Sequence, residues 1–447
     1  MNQVFFAIIA IAFVVGALTG SMEAVSLGAF SGAAAAVDLA IGLIGYMALF
    51  LGLMKIAEDG GLLRLLARAI RPVMVRLFPD VPADHPAMGA MIMNIAANML
   101  GLTNAATPLG IKAMIELNRI NRTPGVATNA MCLFLAINTS GLALLPSGAV
   151  SVRAAEGSAD PWGIVPSTLV ATGLATVAGI IVAKMLQKLP VFSLARAAEA
   201  MEADPEQTDP TPNTEPPESP QVDLSPAQSE DTVGVHVLRW SIVAVLLVLA
   251  GPPMAAAVLD GPSAEALRNF STTAGNWVIP SLVMAFLAFG FAQGVKVYES
   301  FVAGAKEGFQ TGVLIIPYLV AILAAVGMFR GSGAMDFLTS GVGPFIAPLG
   351  LPAEVLPQAL VRPLSGSGAF ALMSELVTTH GPDSYIGYVS STLQGSTDTT
   401  FYVLAVYFGA VGVSRTRHAV LAGLTADLFG VIGTVLACRV LFGHLAG

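Results

Sequence analysis

The chain has 447 residues, of which 55% are hydrophobic and only 11% are charged. A soluble domain carries about a quarter charged residues, so this composition excludes a soluble protein and indicates a polytopic membrane protein. The net charge of −8 is local, because residues 197–235 hold ten acids and no Lys or Arg, and the rest is nearly neutral.

Three long apolar runs in the first half, at residues 4–19, 39–56 and 162–185, predict membrane spans. Residues 20–37 lack Lys and Arg and are expected to form an external loop. In residues 55–78, leucines and isoleucines alternate with arginines, which is typical of a basic amphipathic helix in the membrane interface.

Two further segments of the first half are apolar but interrupted by polar residues. Residues 85–114 begin and end as helix and are broken at Gly101–Pro108, and residues 127–145 are broken at Asn138–Gly141. Broken or re-entrant helices are allowed at membrane depth only where they are buried or line a cavity. The polar residues at these two breaks are candidate substrate contacts: Asn94, Asn98, Thr103, Asn104, Thr107, Asn138, Thr139 and Ser140. For Asn94 and Asn98, hydrogen bonding between helices explains the residues equally well.

Residues 197–235 contain seven prolines and ten acids and almost no large apolar side chains. Such a segment cannot bury a core, so the sequence predicts a disordered linker. It divides the chain into membrane repeats at residues 1–196 and 236–447.

The second half contains apolar runs at residues 240–259, 277–291, 312–329 and 418–441, which predict spans. Residues 331–349 are predicted to form a second interfacial helix.

The second half also has two broken apolar segments. Residues 356–377 are interrupted by RPLSGSG (362–368), and residues 385–413 by LQGSTDTTFY (393–402). Asp398 lies in the second break, and an acid at membrane depth marks a functional site unless the segment is only a polar loop. The candidate contacts are Arg362, Ser365, Ser367, Gln394, Ser396, Thr397, Asp398, Thr399 and Thr400.

The two halves carry the same features in the same order. The break at residues 102–106 aligns with 364–368, and residues 138–140 align with 398–400. Placing the basic segments in the cytoplasm favours an inverted repeat, which is the pattern of a transporter with a site at the bilayer midplane. A parallel repeat stays open.

The motifs NAATPLGIKAM (104–114) and FLAINTSGLALLPSG (134–148) resemble spore maturation protein A. The motifs RPLSGSGAFALMSE (362–375) and STLQGSTDTTFYVLAVYFG (391–409) resemble spore maturation protein B. The chain resembles a fusion of the two, and each half resembles the nucleoside-recognition or Gate domain. That domain is shared with concentrative nucleoside transporters and the membrane part of the ferrous-iron transporter B family. The resemblance implies a multi-spanning inner-membrane protein with its linker in the cytoplasm, and it leaves the transported species undefined.

The expected fold is an all-α polytopic membrane protein with two Gate-type repeats, and the expected function is secondary transport of a small polar or anionic metabolite, nucleoside-like in the family's terms. Arg362 favours an anion, unless it pairs with Asp398 or Glu375. Asp398 could instead hold Na⁺ or a proton for coupling. An uncoupled channel and a non-transporting scaffold are the alternatives.

The sequence indicates no enzyme, because the five histidines are scattered and no hydrolytic or metal-ligand constellation is visible. We expect no cofactor and no nucleic-acid partner. The expected partners are the lipid bilayer and the transported ligand, and the sequence leaves open whether the protein is a homo-oligomer.

Overall fold

The computed structural model describes residues 2–194, 196–197, 280, 283–346 and 350–445. The side chains of a few residues inside these ranges, including 103–105, lie outside the description. The predicted linker at 197–235 and the predicted span at 240–259 also lie outside the described residues. All regular structure in the described ranges is helical, which confirms the all-α prediction.

The helices of the first half follow the order of the apolar runs. They are α1 (Asn2–Thr19), α2 (Met22–Asp59), α3 (Leu62–Leu77), α4 (Pro86–Met99), α5 (Thr103–Arg119), α6 (Asn129–Thr139), α7 (Ser147–Ala155) and α8 (Ile164–Leu186). Short 3₁₀ turns at Pro161–Gly163 and Pro190–Phe192 flank α8.

The second half repeats this series from its first described helix onward. The helices are α9 (Val283–Ala292), α10 (Val297–Gly331), α11 (Ala334–Ile346), α12 (Leu356–Val361), α13 (Gly366–His380), α14 (Tyr385–Ser396), α15 (Thr400–Gly409) and α16 (Ala419–Phe442). The 3₁₀ turns Ala353–Val355 and Gly443–Leu445 precede α12 and follow α16.

Two predicted boundaries are wrong. The expected loop at 20–37 is helical, and α2 continues from Met22 to Asp59 over 38 residues. Likewise the predicted span at 312–329 is only part of a 35-residue helix, α10, which begins at Val297. Alanine is the best helix former and glycines are tolerated where helices pack closely, so residues 20–37 contain no breaker. The helix α10 continues through an internal proline, Pro317, as membrane helices tolerate.

The described residues include four helices long and apolar enough to cross a membrane: Met22–Asp59, Pro161–Leu186, Val297–Gly331 and Ala419–Leu445. At 1.5 Å per residue, α2 is about 57 Å long, well beyond the hydrocarbon thickness of about 30 Å. The protein is therefore a multi-pass membrane protein whose longest helices extend past the bilayer core.

The chain divides into two compact units, each with residues from both halves. The first comprises Met1–Leu43, Leu66–Pro220 and Gly312–Gly447, and the second comprises Ile44–Leu65 and Gln221–Thr311. All of the predicted breaks belong to the first unit.

Within the first unit, the broken helices α6–α7 and α14–α15 run antiparallel. At one end the N–H of Ala127 donates to the carbonyl of Arg415 at 3.0 Å. In the middle the N–H of Asp398 donates to the carbonyl of Thr139 at 2.8 Å, and at the other end Arg153 pairs with Asp383 at 2.9 Å. Residue numbers rise along one helix as they fall along the other, so the repeats are inverted.

Local chemistry starts both broken helices in the same way. The side chain of Thr128 accepts the N–H of Met131 at the start of α6, and the side chain of Ser384 accepts the N–H of Gly387 at the start of α14. Hydroxyl N-caps satisfy amide groups that a helix leaves unpaired. The turns that follow α2 and α10 also match. Gly61 and Gly333 lie in these turns with φ of +83° and +82°, a conformation that favours glycine.

The N-terminal part of α2 packs against the C-terminal part of α10 through glycines. A Cβ atom on Gly28 would clash with the carbonyl oxygen of Gly327, and one on Gly327 would clash with that of Gly28. The two backbones approach as closely as small-residue helix pairs in membranes do.

We expect Gly28→Ala to destabilise the protein by about 1–3 kcal/mol, because the added methyl group must push two backbones apart. Gly42→Ala is the matched control: it lies on the same helix with nothing within 4 Å of the new Cβ. Alanine should be neutral or slightly stabilising there. Thermal unfolding of the two purified variants in detergent measures the difference, and equal melting temperatures would contradict the close packing.

Candidate functional site

The two breaks of the first half contact each other. The break between α4 and α5 is at residues 100–102, where Gly101 has φ of +73°. The break between α6 and α7 is at residues 140–146. The N–H of Leu144 donates to the carbonyl of Met99 at 2.8 Å, so each break satisfies part of the other's exposed backbone.

In the second half, the break at 362–365 contacts the break at 397–399. The N–H of Phe401 donates to the carbonyl of Pro363 at 3.0 Å. The guanidinium of Arg362 donates to the carbonyl of Gln394 at 3.0 Å and to that of Thr397. Arg362 thus neutralises the negative end of α14, where helical carbonyls lack partners.

The two halves meet at the inner pair of breaks. Gly141 has φ of +55°, and a Cβ atom there would lie 2.9 Å from the amide nitrogen of Asp398. Only glycine allows this approach, which brings the Thr139 carbonyl to the Asp398 amide. The four breaks therefore form one continuous chain of contacts inside the first unit.

A buried polar network joins the two halves beside these breaks. The Asn98 amide donates to Asn138 Oδ1 at 2.9 Å, and the Tyr407 hydroxyl donates to the same oxygen at 3.3 Å. Asn94 donates to the Tyr407 hydroxyl at 3.1 Å and to the carbonyl of Ala106 at 2.7 Å. Sequence analysis missed Tyr407, because nothing distinguishes one tyrosine in an apolar helix without its partners.

Tyr407→Phe should destabilise the protein by about 1–3 kcal/mol, because it leaves buried amide groups of Asn94 and Asn138 with one fewer partner. Tyr402→Phe is the control, since Tyr402 is on the same helix and 54% exposed. Melting temperatures of the two variants test this expectation, and a shift no larger than that of the control would remove Tyr407 from the network.

Several predicted contact residues use their hydroxyl groups locally. Thr139, Ser140 and Ser396 donate to carbonyls three residues earlier in their own helices, at 3.0, 2.7 and 2.8 Å. Ser365 is the N-cap of α13 and accepts the N–H of Gly368 at 3.0 Å. The side chains of these four residues stabilise the ends of the helices.

The remaining predicted residues differ in exposure. Thr107 and Ser367 are half-buried, and Thr397 is buried. Gln394 has a buried Oε1 with no partner among the described residues. The side chains of Thr103 and Asn104, at the start of α5, lie outside the description.

Asp398 lies at the positive end of α15. Its Oδ1 accepts the N–H of Thr399 at 2.7 Å, and the residue is half-buried. A carboxylate at a helix N-terminus interacts favourably with the positive end of the helix dipole. The sequence left open that Arg362 pairs with Asp398 or Glu375. Among the described ion pairs neither acid pairs with Arg362, and Glu375 pairs with Arg330 at 2.6 Å.

A second acid, Asp427, lies behind the break on α16. Thr400 Oγ1 donates to its Oδ2 at 2.7 Å. Small residues let α16 approach closely, because a Cβ atom on Gly423 would lie 2.8 Å from the Thr400 methyl group. On the neighbouring helix α8, Thr172 donates to the carbonyls of Ser140 and Gly141 at 2.9 and 3.0 Å. The helices α8 and α16 thus support the two inner breaks.

Buried Arg153 fixes one end of the antiparallel pair. It donates to Asp383 at 2.9 Å and to the carbonyl of Asp160 at 3.1 Å, and its guanidinium lies 4.2 Å from the ring centre of Tyr388. The sequence alone did not reveal this clamp, because Asp383 and Tyr388 are more than 200 residues from Arg153 in the chain.

At the opposite end, Arg417 donates to the carbonyls of Phe192 and Ala127 at 2.8 and 2.9 Å. Burial, and then the charge of Arg417, lower the pKa of His418 to about 4. His418 therefore stays neutral at physiological pH and packs against Phe192 as an apolar ring.

A separate cavity of about 760 Å³ opens beside the packed parts of α2 and α10. Its charged lining residues are Asp38, Glu156, Arg330 and Glu375. None of the predicted site residues lines it, and sequence analysis missed Asp38. In the described residues no cluster of three or more His, Cys, Asp or Glu could hold a metal ion.

Comparison with known proteins bears on both halves. The Gate family model, described as nucleoside recognition, matches residues 40–155 and 313–414. The chain is 47% identical to spore maturation protein B of Bacillus subtilis (strain 168) over 172 residues, which cover 38% of this chain and 97% of that protein. It is 41% identical to spore maturation protein A of the same strain over 182 residues, which cover 41% of this chain and 93% of that protein. The chain belongs to the spore maturation protein A and B family.

Each Gate match of this spore maturation A/B-type chain falls on one side of the predicted linker. The four breaks lie inside the matched ranges, whereas α8 and α16 lie outside them. The protein is thus a fused, membrane-embedded member of the nucleoside-recognition family. No solved structure matches it.

Proposed function

We propose that this spore maturation A/B-type protein is a secondary transporter that moves a small polar metabolite through the four linked breaks. The observation that carries the proposal is the contact of Asp398 with Thr139 at the centre of an inverted repeat. Broken helices at matching positions of inverted repeats form the midplane sites of secondary transporters.

The contacts of Arg362 favour a neutral polar ligand over an anion. Its guanidinium binds the carbonyls of Gln394 and Thr397, so its charge is already compensated by the end of α14. Asn98 and Asp398 are among the half-buried polar residues at the breaks. An amide and a carboxylate suit a ligand with several hydrogen-bond donors, and a nucleoside or nucleobase is such a ligand.

The distribution of basic residues supports an orientation. The end of the first unit that holds residues 126–127 and 415–417 also holds the basic segments 112–122 and 184–196. At the other end, Arg153 and Arg330 are both paired with acids. Positive charge marks the cytoplasmic side, so we assign the first end to the cytoplasm of an inner membrane and keep the linker there. The proposal includes no enzymatic step.

Uptake into proteoliposomes tests the proposal. Purified protein should accumulate at least one member of a panel of nucleosides, nucleobases, dicarboxylates and amino acids, with saturation and with dependence on an ion gradient. Flux that rises linearly with concentration and ignores gradients would instead identify a channel. No flux above that of empty liposomes, together with no ligand-induced thermal shift, would favour a scaffold.

A further inference from the structure

Only one of the two carboxyl oxygens of Asp427 has a hydrogen-bond partner among the described residues. The residue lies within the apolar helix α16 and is 5% exposed. Thr400 donates to one carboxyl oxygen, Oδ2, while the other, Oδ1, is buried and has no partner in the described part of the chain. An ionised carboxylate in an apolar interior costs several kcal/mol unless both oxygens are well paired.

Small residues pack α16 closely against its neighbours on either side of Asp427. One turn before it on α16, Gly423 packs against Thr400, and nearly one turn after it Gly430 packs against Thr397. On the side of α8, the neighbouring residue Ala426 faces Gly179. The carboxyl group is therefore enclosed by small residues and by the hydroxyl-bearing break of the second half.

Two charged groups act on Asp427: Arg362, ahead of α13, and Asp398, ahead of α15. Within the described residues, α6 and α8 contribute no further charge to it. One arginine therefore faces two carboxylates, and a single proton makes the group neutral. Asp427 is the more enclosed of the two acids and has a buried oxygen with no partner among the described residues, so it is the acid that gains most from being neutral.

We propose that Asp427 is a proton-binding site linked through Thr400 to the break at 397–399. Binding and release of a proton change the hydrogen bond to Thr400, the first residue of α15, and so alter the site formed by the breaks. The coupling role rests on the proposed transport function, whereas proton binding itself does not. A sodium site is disfavoured, because hard cations take about six oxygen ligands, and among the described residues Thr400 alone has a hydrogen bond to this carboxylate.

Infrared difference spectroscopy during pH steps tests proton binding without any substrate. The full-length protein in lipid nanodiscs should show a C=O stretching band of a protonated carboxyl group in an apolar site. We expect this band to be lost in Asp427→Asn and retained in Asp398→Asn. The matched control is Asp38→Asn, which removes an exposed acid from another membrane helix and should also retain the band.

A second variant covers the case in which Asp427→Asn does not fold. Thr400→Val keeps the carboxyl group and removes its hydrogen bond, so the band should shift in frequency and in its midpoint pH. A band that persists in Asp427→Asn, that is unchanged in Thr400→Val, or that responds to Na⁺ rather than pH would overturn the proposal. Because these spectra need no transport, a titrating band with no uptake would reject the transporter and leave the proton site standing.

Discussion

Replacing Arg362 with glutamine is expected to lower the free energy of unfolding by about 3 kcal/mol, since hydrogen bonds to charged groups contribute about 1.5–3 kcal/mol each. Arg362 is 7% exposed, and it donates to the carbonyls of Gln394 and Thr397 at the end of α14. Glutamine reaches at most one of them and carries no charge to balance the helix dipole. Thermal unfolding of the purified variant measures the loss.

Arg362→Lys should recover only part of this stability, because a lysine ammonium group cannot hold two carbonyls in the planar fork of a guanidinium. The control is Arg71→Gln, in which the side chain replaced is 56% exposed. If Arg362→Gln melts at the same temperature as Arg71→Gln, Arg362 does not hold the break, and its charge is free to bind an anion.

Asp398→Asn is expected to abolish gradient-dependent uptake while expression and melting temperature persist. Asparagine can still accept the N–H of Thr399 and is a good residue ahead of a helix, so the break should keep its shape. The variant lacks the negative charge of Asp398. That carboxylate is half-buried at the breaks, and Arg362 does not contact it directly. Proteoliposome uptake with the substrate found for the wild type measures the effect.

Asp84→Asn provides the matched control, because that carboxylate is 99% exposed and lies just before α4, at the opposite end of that helix from the break at 100–102. Uptake by Asp84→Asn should equal that of the wild type. Wild-type uptake by Asp398→Asn would remove Asp398 from the mechanism and move the search to the neutral groups of Asn98 and Asn138.

The positions of the breaks could be predicted because their causes are local. Glycines and clustered polar side chains interrupt apolar runs near Gly101, Gly141, Arg362 and Asp398, and the structure has a helix end at each place. The repeat could be predicted for the same reason, since the order of local features survives even where few residues are identical. Its inversion follows from the antiparallel contacts.

The lengths of α2 and α10 could not be predicted from polarity alone. Residues 20–37 contain small and weakly polar side chains that look like a loop, but small side chains are what a helix needs where it packs closely on another. Gly28 and Gly327 show this, because each backbone occupies the space that the other's Cβ atom would fill. That requirement becomes visible only once both helices are placed.

The roles of the candidate site residues depended on partners that the sequence does not reveal. Thr139, Ser140 and Ser396 have hydroxyl groups as expected, but each bonds within its own helix. Tyr407 and Asp427 gain importance from contacts with Asn138 and Thr400, and the first of these joins residues 269 positions apart. Their assignment as substrate contacts or coupling groups stays a proposal.

The asymmetry between the halves has a physical basis. In the first half, the described links between the two breaks are uncharged: the backbone contact of Leu144 with Met99 and the side-chain hydrogen bond of Asn98 with Asn138. In the second half, Arg362 links them, and the acids Asp398 and Asp427 lie near that positive charge. The proposed ionic chemistry is therefore concentrated in the half that resembles spore maturation protein B.

The most direct test of a solute-accessible site at the breaks is thiol labelling in proteoliposomes. Asn98→Cys, in a background where the buried cysteines Cys132 and Cys438 are replaced by alanine, is treated with a membrane-impermeant maleimide from each side. Asp84→Cys, at an exposed position, is the control and should react from one side only. A transporter with its site at the breaks predicts that Asn98→Cys reacts from both sides, whereas labelling from one side or from neither would contradict it.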